Sequence, residues 1–248
     1  MIKKITLFNT PIAAISLNET VELVDNAIIN NHQLHHIAVN VAKIVHMQTD
    51  KQLYDSVVSA DIINADGMPL VWVSKLFRKP IPERVTGVNL MQSLVELAYK
   101  KKYKIYFFGA KEEVVKRVVD YYSNKYSPEI VAGYRNGYFP DQEEKQIASQ
   151  IAHSGANILF VAISSPKKEN FLFRNKELLS NVNFFMGVGG SFDVVSGVVE
   201  RAPMWMQRSG LEWLFRIIQE PKRMWKRYLV TNTLFVYYFI REFFKNIR

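Results

Sequence analysis

The 248-residue chain contains no cysteine. Disulfide scaffolds, thiolate nucleophiles and Cys-ligated zinc are therefore excluded. It also lacks any apolar run near the roughly 18 residues that a spanning helix needs. The longest uncharged stretch of the C-terminal region, Tyr228 to Ile240, has 13 residues and is interrupted by Thr231, Asn232 and Thr233. It is expected to lie in an interface or pack on a core, not to cross a bilayer. No Asp-x-Asp pair occurs. Such a pair commonly holds a divalent ion on a bound diphosphate, so without it any anionic ligand would have to be met by Arg and Lys. A secretion signal is not the expected reading of the N-terminal segment. Asn9, Thr10 and Pro11 break the apolar run that follows Lys3 and Lys4, and the segment reads as an N-terminal hairpin.

Hydrophobic residues make up 48% of the chain and charged ones 22%. That is ordinary globular usage, and the length suits one large α/β domain or one domain with a small appendage. The formal net charge of +9 is unevenly placed. Residues 201–248 hold ten Lys/Arg against Glu212, Glu220 and Glu242, a net +7 that leaves only +2 for the first 200 residues. Such a basic tail implies an anionic partner: a membrane surface, nucleic acid or a phosphorylated ligand. Eleven aromatics between Trp205 and Phe244 interleave with these cations. Pro221 suits a helix start, which would place Arg223, Lys226, Arg227 and Val230 on one side of that helix. Cations on one face with Trp, Phe and Leu on the other describe an interfacial helix. The plain alternative is a terminal helix docked on the domain with its basic side merely solvated.

Short apolar runs at Leu34–Val39, Lys104–Phe108, Ile158–Ile163 and Val182–Val188 read as strands covered on both faces. Helical patterns at Val41–Thr49, Leu90–Lys100, Glu112–Tyr122, Gln142–His153 and Glu169–Leu179 alternate with them. The alternation predicts βαβ units, hence a mainly parallel sheet flanked by helices, with ligands beyond the carboxyl ends of the strands.

Several constellations fall where such a crevice would lie. Asn64-Ala65-Asp66-Gly67-Met68-Pro69 reads as a strand end turning into a helix. Asp66 is the best-placed general base there, or else a helix cap. Arg84-Val85-Thr86-Gly87 precedes a helix, and an arginine beside helix N–H groups suits a diphosphate or a surface ion pair. The loop Gly187-Val188-Gly189-Gly190-Ser191-Phe192-Asp193 can cradle phosphate or form a tight turn. It is not a dinucleotide fingerprint, because Phe192 stands where a third glycine is expected. Lys167 and Lys168 open a further helix that could hold a phosphate, whereas the formal Ser165-x-x-Lys168 match lacks its partner motifs. His35 and His36 are strand neighbours that point to opposite faces, which argues against a shared metal.

Taken in order, these stretches resemble the WecG/TagA/CpsF family of glycosyltransferases, together with Trp72, Ser196-Gly197, Arg201-Ala202-Pro203, Trp205, Gly210-Leu211-Glu212-Trp213-Leu214, Arg216, Glu220-Pro221 and Arg223. The resemblance implies a Rossmann-like catalytic domain over 1–200 and a membrane-contacting appendage over 201–248. It also implies inverting, metal-independent transfer that needs no cofactor beyond a UDP-sugar donor. By that resemblance Asp66 is the catalytic base and Asn40 an active-site asparagine. Arg84, Thr86, Gly87, Lys168, Gly189, Gly190 and Asp193 fall to substrate binding, as do the appendage cations Arg216, Arg223, Lys226 and Arg227. Two positions depart from the family's common usage, Lys168 where Gln is frequent and Ala38 where Thr is frequent. They bear on the identity of the donor sugar, not on the reaction class.

The expected activity is transfer of an N-acetylmannosamine-type sugar from UDP to polyprenyl-diphosphate-linked GlcNAc, in teichoic-acid, common-antigen or exopolysaccharide synthesis. The expected location is the inner face of the cell membrane, as a peripheral protein with no nucleic-acid partner and with a homo-oligomer compatible. The rival classes are a nicotinamide-dependent oxidoreductase and a non-catalytic protein that binds anionic surfaces or nucleic acid.

Overall fold

The computed structural model of the protein describes residues 2–247, and the side chains of all of these except Arg223 and 245–247. A hairpin of β1 (Lys4–Leu7) and β2 (Thr10–Ala13) opens the chain, as its broken apolar run predicts. A six-stranded sheet follows, made of β3 (Leu34–Val39), β4 (Ile62–Ala65), β5 (Ile105–Gly109), β6 (Val131–Arg135), β7 (Ile158–Ala162) and β8 (Phe184–Gly187). Its spatial order is β4-β3-β8-β7-β5-β6, and every pairing is parallel. The fold is thus α/β and Rossmann-like. The central strands read as unbroken apolar runs because helices cover both faces. Phe107, Phe160, Phe184 and Met186 fill one side of the sheet, and Phe108, Leu159, Val161 and Phe185 the other.

The flanking helices are α1 (Leu17–Ile29), α2 (Val41–Met47), α3 (Lys51–Val58), α4 (Met68–Leu76), α5 (Gly87–Lys101), α6 (Glu112–Lys125), α7 (Glu144–Ala152), α8 (Lys167–Arg174) and α9 (Ser191–Val195). Helix α8 stops five residues short of the expected Leu179. The Asn175 amide bonds back to the Phe171 carbonyl at 2.8 Å and to Glu144 at 2.9 Å, a local bond that competes with further helix.

Three helices complete the chain: α10 (Met204–Arg208), α11 (Glu212–Gln219) and α12 (Pro221–Ile247). Helix α12 begins at the proline, as expected. Met224, Thr231 and Phe235 form its buried stripe. Phe235 belongs to the same core cluster as Leu7, Phe8, Ile12 and Ile44, with its ring 5.3 Å from that of Phe8. Phe239 stacks on Phe77 at 5.9 Å. A second apolar stripe, Trp225, Leu229, Val236, Ile240 and Phe244, faces outward and is exposed. No helix among the described residues is long and apolar enough to cross a membrane.

Candidate active site

A cleft of about 1060 Å³ lies beyond the carboxyl ends of β3, β4, β7 and β8, where a parallel sheet presents its ligands. Helices α11 and α12 close one side of it through Glu212, Arg216, Met224 and Arg227.

Asp66 sits one residue past β4. Its N–H donates to the Val39 carbonyl at 2.8 Å, so the β3–β4 ladder runs one bond further than the strands themselves. Gly67, not Asp66, is the N-cap residue of α4, and no side chain caps that helix. The helix-cap account of Asp66 therefore fails. Its carboxyl is held above the ordinary carboxylate range, first by burial and then by the nearby Glu212 charge, with Arg216, Arg84 and Lys43 pulling the other way. Asn40 is the N-cap of α2, and its Oδ1 accepts from the Lys43 N–H at 3.0 Å. A Cβ on Gly67 would stand 3.8 Å from Asn40, so Asn40 packs against the turn that carries Asp66.

Three arginines gather near Asp66. Arg84 Nη1 is 3.0 Å and Arg216 Nη2 is 3.6 Å from opposite oxygens of Glu212. Arg201 lines the cleft beside them. Burial pushes its guanidinium below its ordinary value, while Glu212 acts against that shift.

A buried ion triad forms the floor between β3 and β8. Lys43 Nζ lies 2.8 Å and Lys168 Nζ 3.2 Å from the same oxygen of Glu169. Burial opposes the Glu169 charge, yet the two ammonium groups outweigh it and hold the carboxyl down to about 2. Two cations share one anion, so the triad carries surplus positive charge at the cleft. Burial and the neighbouring Lys43 push the Lys168 ammonium downward. Gly187 makes room for it, since a Cβ there would lie 2.7 Å from the Lys168 chain.

On the opposite wall Thr86 caps α5, its hydroxyl accepting from the Asn89 N–H at 3.2 Å. Gly87 abuts the glycine loop, where its Cβ would stand 3.6 Å from the Val188 carbonyl and 3.7 Å from Ser191 Oγ. Gly189 adopts φ +56°, a left-handed turn that suits glycine.

Most residues singled out in the sequence meet here: Asn40, Asp66, Thr86, Gly87, Lys168, Gly189, Gly190, Asp193, Arg216 and Arg227 all line the cleft. Arg84 does not line it; its guanidinium pairs with Glu212 of the wall instead. Lys226 points to solvent on α12 and is not part of the wall. Arg223 lies on α12 with its side chain outside the described residues. Sequence reasoning did not single out Lys43 at all, and it named Arg201 and Glu212 only within longer stretches, without a site role. Lys43 had one signal, its place three residues past Asn40 on a capped helix. The His35 ring packs tilted against Phe185 with centres 4.8 Å apart while His36 Nε2 lies 2.8 Å from Asn64 Oδ1, so the two imidazoles do face opposite ways. Among the described residues no group of three or more His, Asp or Glu is placed to hold a metal.

The glycosyl transferase WecG/TagA/CpsF family model matches residues 5–248. The chain belongs to the WecG/TagA/CpsF family. Its class of chemistry is accordingly glycosyl transfer. Two relatives carry the name N-acetylglucosaminyldiphosphoundecaprenol N-acetyl-beta-D-mannosaminyltransferase. That of Bacillus subtilis is 39% identical over 180 residues, 73% of this chain and 69% of its own length. That of Bacillus spizizenii is 39% identical over 177 residues, 71% and 67% respectively. The family assignment sets aside the oxidoreductase and non-catalytic readings.

Proposed function

We propose that the protein moves an N-acetylmannosamine-type sugar from a UDP donor to GlcNAc on a polyprenyl diphosphate such as undecaprenyl diphosphate, with inversion at the anomeric carbon. The observation that carries this is Asp66, a carboxylate of raised proton affinity in an open cleft beside guanidinium groups. A sugar hydroxyl is a poor nucleophile until its proton leaves, and a base whose affinity approaches the working pH removes it best. Asp66 takes the proton of the acceptor 4-hydroxyl. The oxygen bonds to the donor anomeric carbon from the face opposite UDP, and the bond to the phosphate oxygen breaks with its electron pair on UDP.

The diphosphate then gathers charge beside Lys168, Arg201, Arg216, Arg227 and the N–H groups of the Gly189–Gly190 turn, a preorganised field that needs no resident metal. The names of the two relatives support the acceptor and the transferred sugar. The outward stripe of α12, with Trp205 and Ile218 also exposed nearby in the chain, supports peripheral contact with the cytoplasmic face of the membrane where a lipid-linked acceptor resides. Such synthesis serves teichoic acid or another surface polysaccharide.

The decisive assay is UDP release from a panel of UDP-sugars with and without a short polyprenyl-diphosphate-GlcNAc analogue. Acceptor-dependent release from UDP-ManNAc or its uronate is expected. No release from any donor by folded, vesicle-bound protein would overturn the assignment.

A further inference from the structure

Glu212 opens α11 within the wall of the cleft, and its two carboxylate oxygens face different arginines. Oε2 pairs with Arg84 Nη1 at 3.0 Å, and Oε1 with Arg216 Nη2 at 3.6 Å. The Arg84 and Glu212 side chains are only 13% and 20% exposed. The pair is therefore shielded from the solvent screening that makes surface ion pairs weak. Arg84 precedes α5 and Arg216 lies on α11, so one carboxylate joins two parts of the chain that flank Asp66. A third arginine, Arg201, has its Nε buried with no hydrogen-bond partner among the described residues, and Glu212 is the anion that acts most strongly on it.

The placement of Glu212 is itself fixed. Gly210 turns the chain into α11 with φ +71°, and a Cβ there would lie 2.8 Å from the Trp72 ring and 3.0 Å from Met68 Cβ. Trp72 and Met68 belong to α4, the helix that begins two residues after Asp66. The turn carrying Asp66 and the turn carrying Glu212 are thus packed onto one another through a glycine.

We propose that Glu212 is a positioning residue of the transfer reaction: it holds Arg84 and Arg216 beside Asp66 and supplies the counter-charge that stops these cations from fixing the base in a weakly basic carboxylate form. The proposal rests on Asp66 being the base. The groups facing Asp66 are Lys43 from α2, Arg84 and Arg201 from the segments before α5 and α10, Glu212 and Arg216 from α11, and Tyr228 from α12. Those acting most strongly on its carboxyl are, in order, Glu212, Arg216, Arg84 and Lys43, and Glu212 alone among these is an anion. Removing its charge leaves three cations, which favour the ionised, less basic form of Asp66. The same change frees two guanidinium groups from their fixed geometry, at a cost to orientation.

The test is made on the full chain with Glu212→Gln and Glu212→Asp. The first readout is the carbon-13 carboxyl titration of Asp66 in the free protein, assigned by its loss in Asp66→Asn. The second is the pH profile of kcat/KM. In Glu212→Gln the Asp66 midpoint and the acid limb both move to lower pH, and kcat at neutral pH falls roughly tenfold to a hundredfold. Glu212→Asp restores the midpoint and part of kcat. Arg84→Gln provides an independent variant should Glu212→Gln not fold, and its Asp66 midpoint moves up instead. An Asp66 midpoint unmoved in Glu212→Gln, or in Arg84→Gln if only that variant folds, would overturn the proposal. The titration needs no substrate. Loss of the transferase assignment would show instead as absent UDP release in the wild type, and loss of the base assignment as full turnover in Asp66→Asn.

Discussion

The Asp66 N–H donates to the Val39 carbonyl at 2.8 Å, and Val39 immediately precedes the α2 cap residue Asn40. Two neighbouring strand ends thereby deliver a carboxylate and an amide to the same point of the cleft. Asp66→Asn keeps the backbone bond and the side-chain volume while removing the base. Turnover should fall about 10²- to 10⁴-fold, with donor binding nearly unchanged by calorimetry. Wild-type activity should fall as pH drops through the raised Asp66 pKa, because the proton-accepting carboxylate is then lost. The acid limb is expected above the usual carboxylate range.

The Lys43–Glu169–Lys168 triad makes a paired prediction. Lys168→Gln leaves Glu169 its bond to Lys43, so the fold should persist while the surplus cation disappears. Donor affinity should weaken roughly tenfold, about 1.4 kcal/mol, and depend less on salt. Lys43→Met strands the Glu169 carboxylate with the weaker of its two partners. That variant should lose about 3 kcal/mol of stability, measurable by denaturant unfolding.

The two apolar stripes of α12 should separate cleanly in experiment. Trp225→Ser, Leu229→Ser and Ile240→Ser together alter only exposed positions. They should abolish pelleting with anionic vesicles while leaving the melting temperature close to wild type. Phe235→Ala opens the core beneath the hairpin and should cost about 3 kcal/mol. Vesicle pelleting that survives the triple change would show that the outward stripe is not the lipid contact. Deleting residues 201–248 is a poorer test, since it also strips Phe235 and Met224 from buried sites.

Stability should decline on mild acidification for a reason separate from the transfer chemistry. Burial presses His35 down to about 3 and His36 down to about 4. The unfolded chain, with ordinary imidazoles, binds more protons than the native state between about pH 4 and 6.5. Native stability therefore rises with pH through that window and is lost as pH falls through it, by about 1 kcal/mol per pH unit for each histidine. His35→Phe should flatten the slope of melting temperature against pH; an unchanged slope would exclude His35 as its source.

Strand β3 was legible from Leu34 to Val39 because Leu34, Ile37, Ala38 and Val39 bracket only two polar residues, His35 and His36, in a short segment buried on both faces. Strand β6 was not. Its sequence Val-Ala-Gly-Tyr-Arg lies at the sheet edge, half-exposed, and carries neither alternation nor an apolar run. Helix α1 did leave a signature that went unread: Ser16 and Glu19 form a reciprocal capping box. In the cleft, residues inside glycine-rich or turn motifs were visible one by one. Glu212 and Arg201 were visible only as parts of longer stretches, because their roles depend on a strand order, β4-β3-β8-β7-β5-β6, that no local pattern encodes. Arg84 shows the limit from the other side. Its motif suited a diphosphate or an ion pair, and the partner its guanidinium takes is a carboxylate 128 residues away that no local pattern names.

Gly210 gives this architecture an unusual point of fragility. Any side chain there would press on the Trp72 ring and also demand a left-handed backbone from a residue with a Cβ. Relief by tilting α11 away from α4 would displace both Glu212 and Arg216, which α11 bears. A single methyl group at position 210, which touches no substrate and no charge, would thus act as a wedge that detunes the electrostatics of the cleft from outside it.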